Sequence, residues 1–586
     1  MGSRGMSRGS YSPDYCTEAT KKDSNSFDQE RLQVKHPVFP AIARPSSPCH
    51  PGSSIMMDCH IECLLTETQA RHDSETGEEF TKGSRAGRGT HSFCIVISCV
   101  MLTQLDWCNV AWVTIDTLPD VALLEIFDFC LYLDGGMRAW CVLIHVCRKW
   151  RNIVFGSPRR LDLQLTCTQR TPVSERLDIW PLLPMVVVDE DLEIWGVYNI
   201  VSALEHNDRV CEVGLPNVPR FQLKTVVAAM QQPFPALTRL ELGLDNETET
   251  AQAVPDSFLG GSTPRLQTLY LYRIPFPGLP KILLSATHLV NLELRRIPHS
   301  GYISPEAMVT GLTVMSSLEK LIIEFESARS RPDRKRRCPP LQARTVLPVL
   351  YQLQFFGFDE YLEDLVARID TPLLDQLAII FFHQLIFDTP QWELAQFISR
   401  IPRLKIHDEA LVFFTDSRVW VSLSQPLDGW LCLGISCRQS DWQLSSLAQL
   451  CSSPFIQALI VPAVEHLYII EGRFFEPHWQ DDIENSQWLE LLHQFTAVKG
   501  LYISWEFTPR MAPALQELIR ESVIEVLPAL QTLFLEKAPP SGPVQEPIEQ
   551  FVAARQRAGH PVAVSRWPNS GKKWTVEMLL LHSLIC

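Results

Sequence analysis

The sequence predicts an α/β protein in which a small all-helical unit leads into a strand–helix solenoid with one parallel, concave sheet. Three observations predict it. Two helical patterns lie close together between residues 114 and 156. Behind them a triplet of apolar anchors, L-x-x-L-x-L with aliphatic or aromatic substitutes, recurs nine times between residues 237 and 535. The chain has 586 residues, whereas single cores stop growing at about 250 to 300, so several structural parts are expected.

The helical unit carries the densest local signals. Asp116 and Thr117 supply capping oxygens, and Pro119 suits a first helical turn, where its missing donor costs nothing. Leu123, Ile126, Phe127, Cys130 and Leu131 follow at i, i+3, i+4, i+7 and i+8, one apolar face of a helix. Asp134, Gly135 and Gly136 break it. A second helix is expected with Trp140, Leu143, Ile144, Cys147, Trp150 and Val154 on one side and Arg148, Lys149 and Arg151 on the other.

The stretch LPDVALLEIFDFCLYL followed by HVCRKWRNIVF resembles the F-box, in which a Leu-Pro pair opens the first helix and Val-Cys-Arg-x-Trp closes the last. The resemblance implies a docking surface for a Skp-type adaptor, and through it a cullin scaffold. It assigns adaptor contact to Leu118, Pro119, Leu123, Ile126, Phe127, Val146, Cys147 and Trp150. Where the family has Asp-Leu-Leu in its middle helix, this chain has Arg138, Ala139 and Trp140. That departure leaves a second reading open, a protein-interaction scaffold outside any ligase with a divergent F-box. A helical unit of about 40 residues cannot bury all its apolar surface alone, so docking is expected in addition to internal packing.

The anchors of the array are Leu237, Leu240 and Leu242; Leu266, Leu269 and Leu271; Leu289, Leu292 and Leu294; Leu318, Leu321 and Ile323; Leu350, Leu353 and Phe355; and Leu374, Leu377 and Ile379. Further on come Val464, Leu467 and Ile469; Val498, Leu501 and Ile503; and Leu530, Leu533 and Leu535. First anchors from 237 to 374 are 29, 23, 29, 32 and 24 residues apart, at the upper end of the leucine-rich-repeat range and room for a strand and a helix each. Ser304 with Pro305, and Thr389 with Pro390, read as helix starts between anchors. Segment 410–460 fits poorly, with only Leu427, Trp430 and Cys432 near the triplet. Val544 to Trp567 reads as a helix and a strand, PVAVSRW, that caps the last unit. The order of F-box, SPRRLDL, and repeats with GLPKILLSATHL and HSGYISPEAM resembles the large, diversified group of fungal F-box proteins with degenerate leucine-rich repeats. The expected parts are a largely disordered extension (1–113), the F-box (114–156), a connecting region and solenoid start (157–234), the irregular array (235–540), and a cap and tail (541–586).

Composition narrows the function classes. The net charge is −15, against nucleic acid as the main ligand, since phosphate binding needs a basic surface. An unidentified target protein is the expected partner. The first 16 residues lack the apolar core of a secretory signal, and the 17 cysteines recur at no framework spacing, so a reducing cytoplasmic or nuclear location is expected. Cys49, His50, Cys59, His60 and Cys63 lack zinc-site spacing. Phe93 to Val113 is apolar but carries Gln104, Asp106 and Asn109, which disfavours a membrane span. The basic run Arg329 to Arg337 sits among prolines and reads as a solvated loop, and the sequon at Asn246 as chance. Trp392, Trp420, Trp430, Trp442, Trp479 and Trp488 are candidate target anchors or core. SGKKWT lacks the earlier glycine of a phosphate loop, and neither G-x-S-x-G nor H-E-x-x-H occurs. No catalytic residue, cofactor or metal is expected.

Overall fold

The computed structural model describes residues 118–567, except 134–138, 162, 171–181, 190–196, 246–252, 327–328, 331–343, 383–391, 405–407, 416, 426–427, 439–441, 454–455, 458–462, 472–484, 522–524 and 537–543. The expected N-terminal extension, its Cys/His cluster and apolar window, the capping Asp116 and Thr117, the sequon, most of the basic run and the tail after Trp567 lie outside the described residues.

Three helices come first: α1 (Asp120–Leu133), α2 (Ala139–Val146) and α3 (Arg148–Gly156). The single second helix expected from sequence is thus two. Cys147 is extended (φ −157°, ψ 171°) and caps α3, its Sγ accepting from the Trp150 amide at 3.5 Å. The apolar period continues across the break because both helices bury residues in one core. Pro119 stands just before α1, and its carbonyl accepts from Leu123 N at 3.1 Å.

The remainder is mixed α/β around a large, mostly parallel sheet. Its first half contains β1 (Leu165–Cys167), β2 (Met185–Val188), α4 (Val197–Leu204), β3 (Val210–Val218), α5 (Arg220–Ala229), β4 (Arg239–Leu244), β5 (Thr268–Tyr272), α6 (Leu279–Ser285), β6 (Asn291–Ile297), α7 (Pro305–Leu312), β7 (Lys320–Phe325), β8 (Thr345–Val346), β9 (Gln352–Gly357), α8 (Asp359–Val366), β10 (Ile369–Asp370) and β11 (Gln376–Phe382). Then come α9 (Trp392–Ser399), β12 (Glu409–Phe414), β13 (Arg418–Gln425), β14 (Asp428–Ser436), α10 (Gln443–Ser452), β15 (His466–Glu471), α11 (Asn485–His493), β16 (Gly500–Ile503), α12 (Thr508–Glu521), β17 (Thr532–Leu535), α13 (Gln545–Arg557) and β18 (Ala563–Arg566). Sixteen strands form one sheet in the order β1-β2-β3-β4-β5-β6-β7-β9-β11-β14-β13-β12-β15-β16-β17-β18, while β8 and β10 pair separately.

The anchor triplets explain the register. Val213, Leu240, Leu269, Leu292, Leu321, Leu353, Leu377 and Leu431 are successive cross-strand partners. All face the helices and are buried. A one-residue slip would turn every one of them to the other face, so this apolar rung fixes the pairing. The third anchors, Leu242, Leu271, Leu294, Ile323, Phe355 and Ile379, lie two residues on and are also buried. Helices enter the same core: Leu223 and Val226 of α5, Ile282 and Leu283 of α6, Met308 and Leu312 of α7, and Leu362 and Leu365 of α8. Ser304 caps α7 through its hydroxyl, which accepts from Ala307 N at 3.3 Å. The sheet begins earlier than position 235. β1, β2 and β3 precede it, and β3 carries Val210, Val213 and Leu215, a triplet with valines in place of leucines.

Segment 410–460 breaks the strand–helix alternation. β12, β13 and β14 form an antiparallel meander, with β12 parallel to β15 and β14 parallel to β11. Antiparallel neighbours need only tight turns, which leaves the meander no helix between its strands. Leu431 and Leu433 take the anchor positions, while Cys432 faces the opposite side. Trp430 and Cys432 are therefore one residue out of the anchor frame. Gly434 makes room for the meander: a Cβ there would lie 2.8 Å from Trp420 Cβ and 3.0 Å from the Val419 carbonyl oxygen. At the far edge, α13 and β18 close the described chain, with β18 paired, among the described residues, only to β17.

Candidate functional site

Two surfaces gather the candidate residues. The first is the three-helix unit. Leu123 and Phe127 of α1 have no exposed surface and pack inward with Trp140, Leu143, Ile144 and Val154. The Phe127 ring lies 4.8 Å from that of Trp150. Lys149 Nζ donates to the Leu118 carbonyl at 2.9 Å, and Arg151 Nε to that of Ile144 at 3.0 Å, which ties the three helices together. Trp140 Nε1 donates to Gln164 O at 3.2 Å, and the unit shares one continuous core with the sheet through Leu161 and Leu163.

Of the eight sequence-assigned contact residues, Pro119, Ile126 and Val146 are exposed; Leu118, Cys147 and Trp150 are half-buried; Leu123 and Phe127 are interior. Sequence reasoning missed Val121, Phe129 and Val142, which are 63%, 62% and 68% exposed. Ile126 and Phe129 sit three residues apart on α1, and Val142 and Val146 four apart on α2, so each pair shares one side of its helix. The signal was present in the sequence. α1 and α2 are apolar well beyond one stripe, more than a three-helix core takes up.

The second surface is the face of the sheet away from the helices. Among the described residues, its apolar cluster contains no helix residue: it consists of Ala378, Ile380, Leu411, Phe413, Trp420, Cys432, Tyr468, Ile470 and Trp567. Tyr468, Tyr502 and Phe534 are cross-strand partners on β15, β16 and β17. Strands run about 4.8 Å apart, so their rings stack, with centroids 4.1 and 4.2 Å apart and planes 17° and 4° apart. Burial raises the Tyr468 hydroxyl above its ordinary range, with Glu409 adding to the effect. Burial also pushes the Cys432 thiol up to about 12, so it stays protonated and unreactive at neutral pH. Of the tryptophans singled out from sequence, Trp420 is buried on this face and Trp430 packs against its cluster, Trp488 belongs to the helix-side core, and Trp442 is exposed. The side chains of Trp392 and Trp479 lie outside the described residues.

Toward β4–β9 the same face becomes charged. Lys320 Nζ lies 2.8 Å from Glu293, Arg295 Nε 3.2 Å from the same carboxylate, Arg273 Nε 3.5 Å from Glu326, and Arg296 Nε 3.9 Å from Glu324. Burial raises the Glu324 carboxyl above its ordinary value, opposed by Arg418, Arg295, Arg296 and Arg273. The guanidinium groups of Arg273 and Arg296 both lie over the Tyr272 ring, at 5.5 and 5.7 Å. Both residues hold a positive φ, 58° and 48°, a conformation that costs non-glycine residues about 1 kcal/mol or more.

No protein-family model matches this chain, and no curated protein matches its sequence. Function therefore rests on these two surfaces. Among the described residues no three His, Cys, Asp or Glu side chains gather as metal ligands, and no helix is long and apolar enough to cross a membrane.

Proposed function

We propose that the chain is a substrate-recognition subunit of a Skp–cullin–F-box type E3 ubiquitin ligase. The three-helix unit is its F-box and docks the adaptor; the strand–helix array is a degenerate leucine-rich-repeat solenoid whose helix-free, concave face holds a target protein. In this reading the chain performs no bond chemistry. It raises the local concentration of a target lysine near a ubiquitin-charged enzyme on the same scaffold.

The observation that carries the proposal is the exposed apolar surface of so small a unit. Val121, Phe129, Val142 and Val146 are each more than half exposed, on helices whose inward face is already filled by Leu123, Phe127, Trp140 and Ile144. Surplus apolar surface beside a complete core marks an interaction site. The motif residues add to this: Leu118 and Pro119 open α1, and Val146, Cys147 and Trp150 flank the α2–α3 junction.

The test is co-purification of the full chain with a Skp-type adaptor. Val142→Asp combined with Phe129→Asp alters only exposed positions and is expected to abolish retention while leaving the melting temperature within about 2 °C. Trp150→Ala is the poorer probe, because it removes the ring packed on Phe127. If the unaltered chain ignores the adaptor, the ligase reading fails and the scaffold reading, with Arg138, Ala139 and Trp140 at the family's Asp-Leu-Leu position, replaces it.

A further inference from the structure

The turn that leaves α3 holds a group of residues that adaptor docking does not use. Ser157 caps the C-terminal end of α3 and is followed by Pro158, Arg159 and Arg160. We infer that Ser157 is a phosphoacceptor for a proline-directed protein kinase that reads a basic residue three places further on. The inference goes beyond the adaptor reading and holds without it.

The chemistry of the four residues fits such an enzyme. A kinase groove that offers no acceptor to the amide after the serine leaves any ordinary residue there with an unsatisfied N–H, and proline alone has none. The arginines beyond it suit carboxylates in the groove. The motif by itself does not single out Ser157. Six described serines and threonines precede a proline, and Thr263 and Thr508 also have an arginine two places on. Burial decides among them. Thr263, Thr371, Ser453 and Thr508 are buried, and the Ser304 hydroxyl is committed to capping α7. Ser157 and Pro158 are half-buried, and Arg159 and Arg160 are exposed.

The segment can also open to enter a groove. Its turn is closed by Leu161 N donating to the Ser157 carbonyl at 3.2 Å and Leu163 N to that of Pro158 at 3.0 Å. None of residues 157–160 is buried, so unwinding them uncovers none of their own side chains from the core, and such segments open at low cost. Arg160 pairs with Glu125 of α1, but the two side chains are 42% and 67% exposed, and an exposed pair contributes little against a kinase's own carboxylates. In the transfer, Ser157 Oγ attacks the γ-phosphorus of ATP. The Oγ–P bond forms, the bond from that phosphorus to the bridging oxygen breaks, ADP leaves, and the hydroxyl proton passes to a carboxylate of the kinase. The product carries nearly two negative charges at the end of α3 where the carbonyl dipoles are already negative, and it competes with Glu125 for Arg160. Both effects loosen the last turn of α3.

The experiment incubates the full chain with magnesium ATP and a proline-directed kinase of the cyclin-dependent class, and maps phosphate by mass spectrometry. Ser157 is expected to be modified close to completion, while Thr263 and Thr508 stay unmodified. Arg160→Gln, a change at an exposed position, should slow incorporation at Ser157 by about ten-fold with an unchanged circular dichroism spectrum. Should that variant unfold, the site map of the unaltered chain decides alone. No phosphate on Ser157, labelling of Thr263 or Thr508 to the same extent, or an unchanged rate in folded Arg160→Gln overturns the assignment. In the phosphorylated chain, the amides of residues 152–161 should exchange with deuterium about two- to five-fold faster. Equal or slower exchange overturns the loosening of α3.

Discussion

Along one rung of the sheet, the helix-facing positions read Val213, Leu240, Leu269, Leu292, Leu321, Leu353, Leu377 and Leu431. One residue further on, facing away, the rung reads Gly214, Glu241, Tyr270, Glu293, Ile322, Gln354, Ala378 and Cys432. The same backbone, in the same register, holds two residue types, valine and leucine, on one face and seven on the other. The difference is physical. Each helix-facing side chain fills a space bounded by two neighbouring strands and a helix, at interior packing density, and only an aliphatic of leucine or valine size fits. The opposite face has no helix on it among the described residues, so its positions are not held to one side-chain size. The uniform face and the varied one are thus separated by a step of one residue.

The largest effect should come from breaking the uniform rung. Leu292 has no exposed surface and stands between Leu269 and Leu321. Leu292→Ala removes three buried carbons from a site flanked on both sides, and we expect a loss of about 2 to 5 kcal/mol in urea-induced unfolding, with little change in slope. A loss below about 1 kcal/mol would mean that the ladder is far looser than its burial implies.

The second prediction concerns the helix layer. Glu363 accepts from Glu393 N at 2.9 Å and Leu394 N at 3.2 Å, capping α9 from the end of α8. Burial raises its carboxyl from 4.5 to about 7, against the lowering effect of those two amides. The folded state therefore binds this proton more tightly than the unfolded chain. Stability from this group is fully present below about pH 4.5 and lost as pH rises through about 7, a contribution of at most roughly 3 kcal/mol. Glu363→Gln should flatten the melting temperature against pH across that window relative to the unaltered chain. Parallel profiles would show that Glu363 titrates normally.

How much of this was legible in the sequence follows from the same separation. The nine leucine triplets mark strands β4 to β7, β9, β11 and β15 to β17, because a helix-facing position tolerates so few residues. The valine version at Val210, Val213 and Leu215 obeys the same rule and falls in the stretch expected from sequence to be connecting region and solenoid start, with no triplet assigned there. The meander was not legible as a repeat. Its strands are buried on both faces, as in Leu411 to Phe414 and Val419 to Leu423, and a run apolar at nearly every position has no period to set its frame. That is why Cys432 was read as an anchor when Leu431 and Leu433 hold the rung. In the helical unit, periodicity marks the apolar face that carries Leu123 and Phe127, and the resemblance assigns both to the contact surface, whereas both are interior. Burial alone distinguishes them from Phe129 and Val142.

The smallest effect belongs to the helix-free face, and it tests whether that face carries any structural duty. Tyr502 stacks on Tyr468 at 4.1 Å and on Phe534 at 4.2 Å, with both neighbours supplied by strand register instead of by a covering helix. Tyr502→Leu keeps an apolar side chain, shorter than the tyrosine, and deletes two ring contacts. Aromatic pairs contribute about 0.5 to 1.5 kcal/mol beyond their buried area, so a loss near 1 kcal/mol is expected, well below that of Leu292→Ala. If the two substitutions cost the same, the ring ladder is as much a core as the leucine rung, and the helix-free face of β15–β17 is built for rigidity.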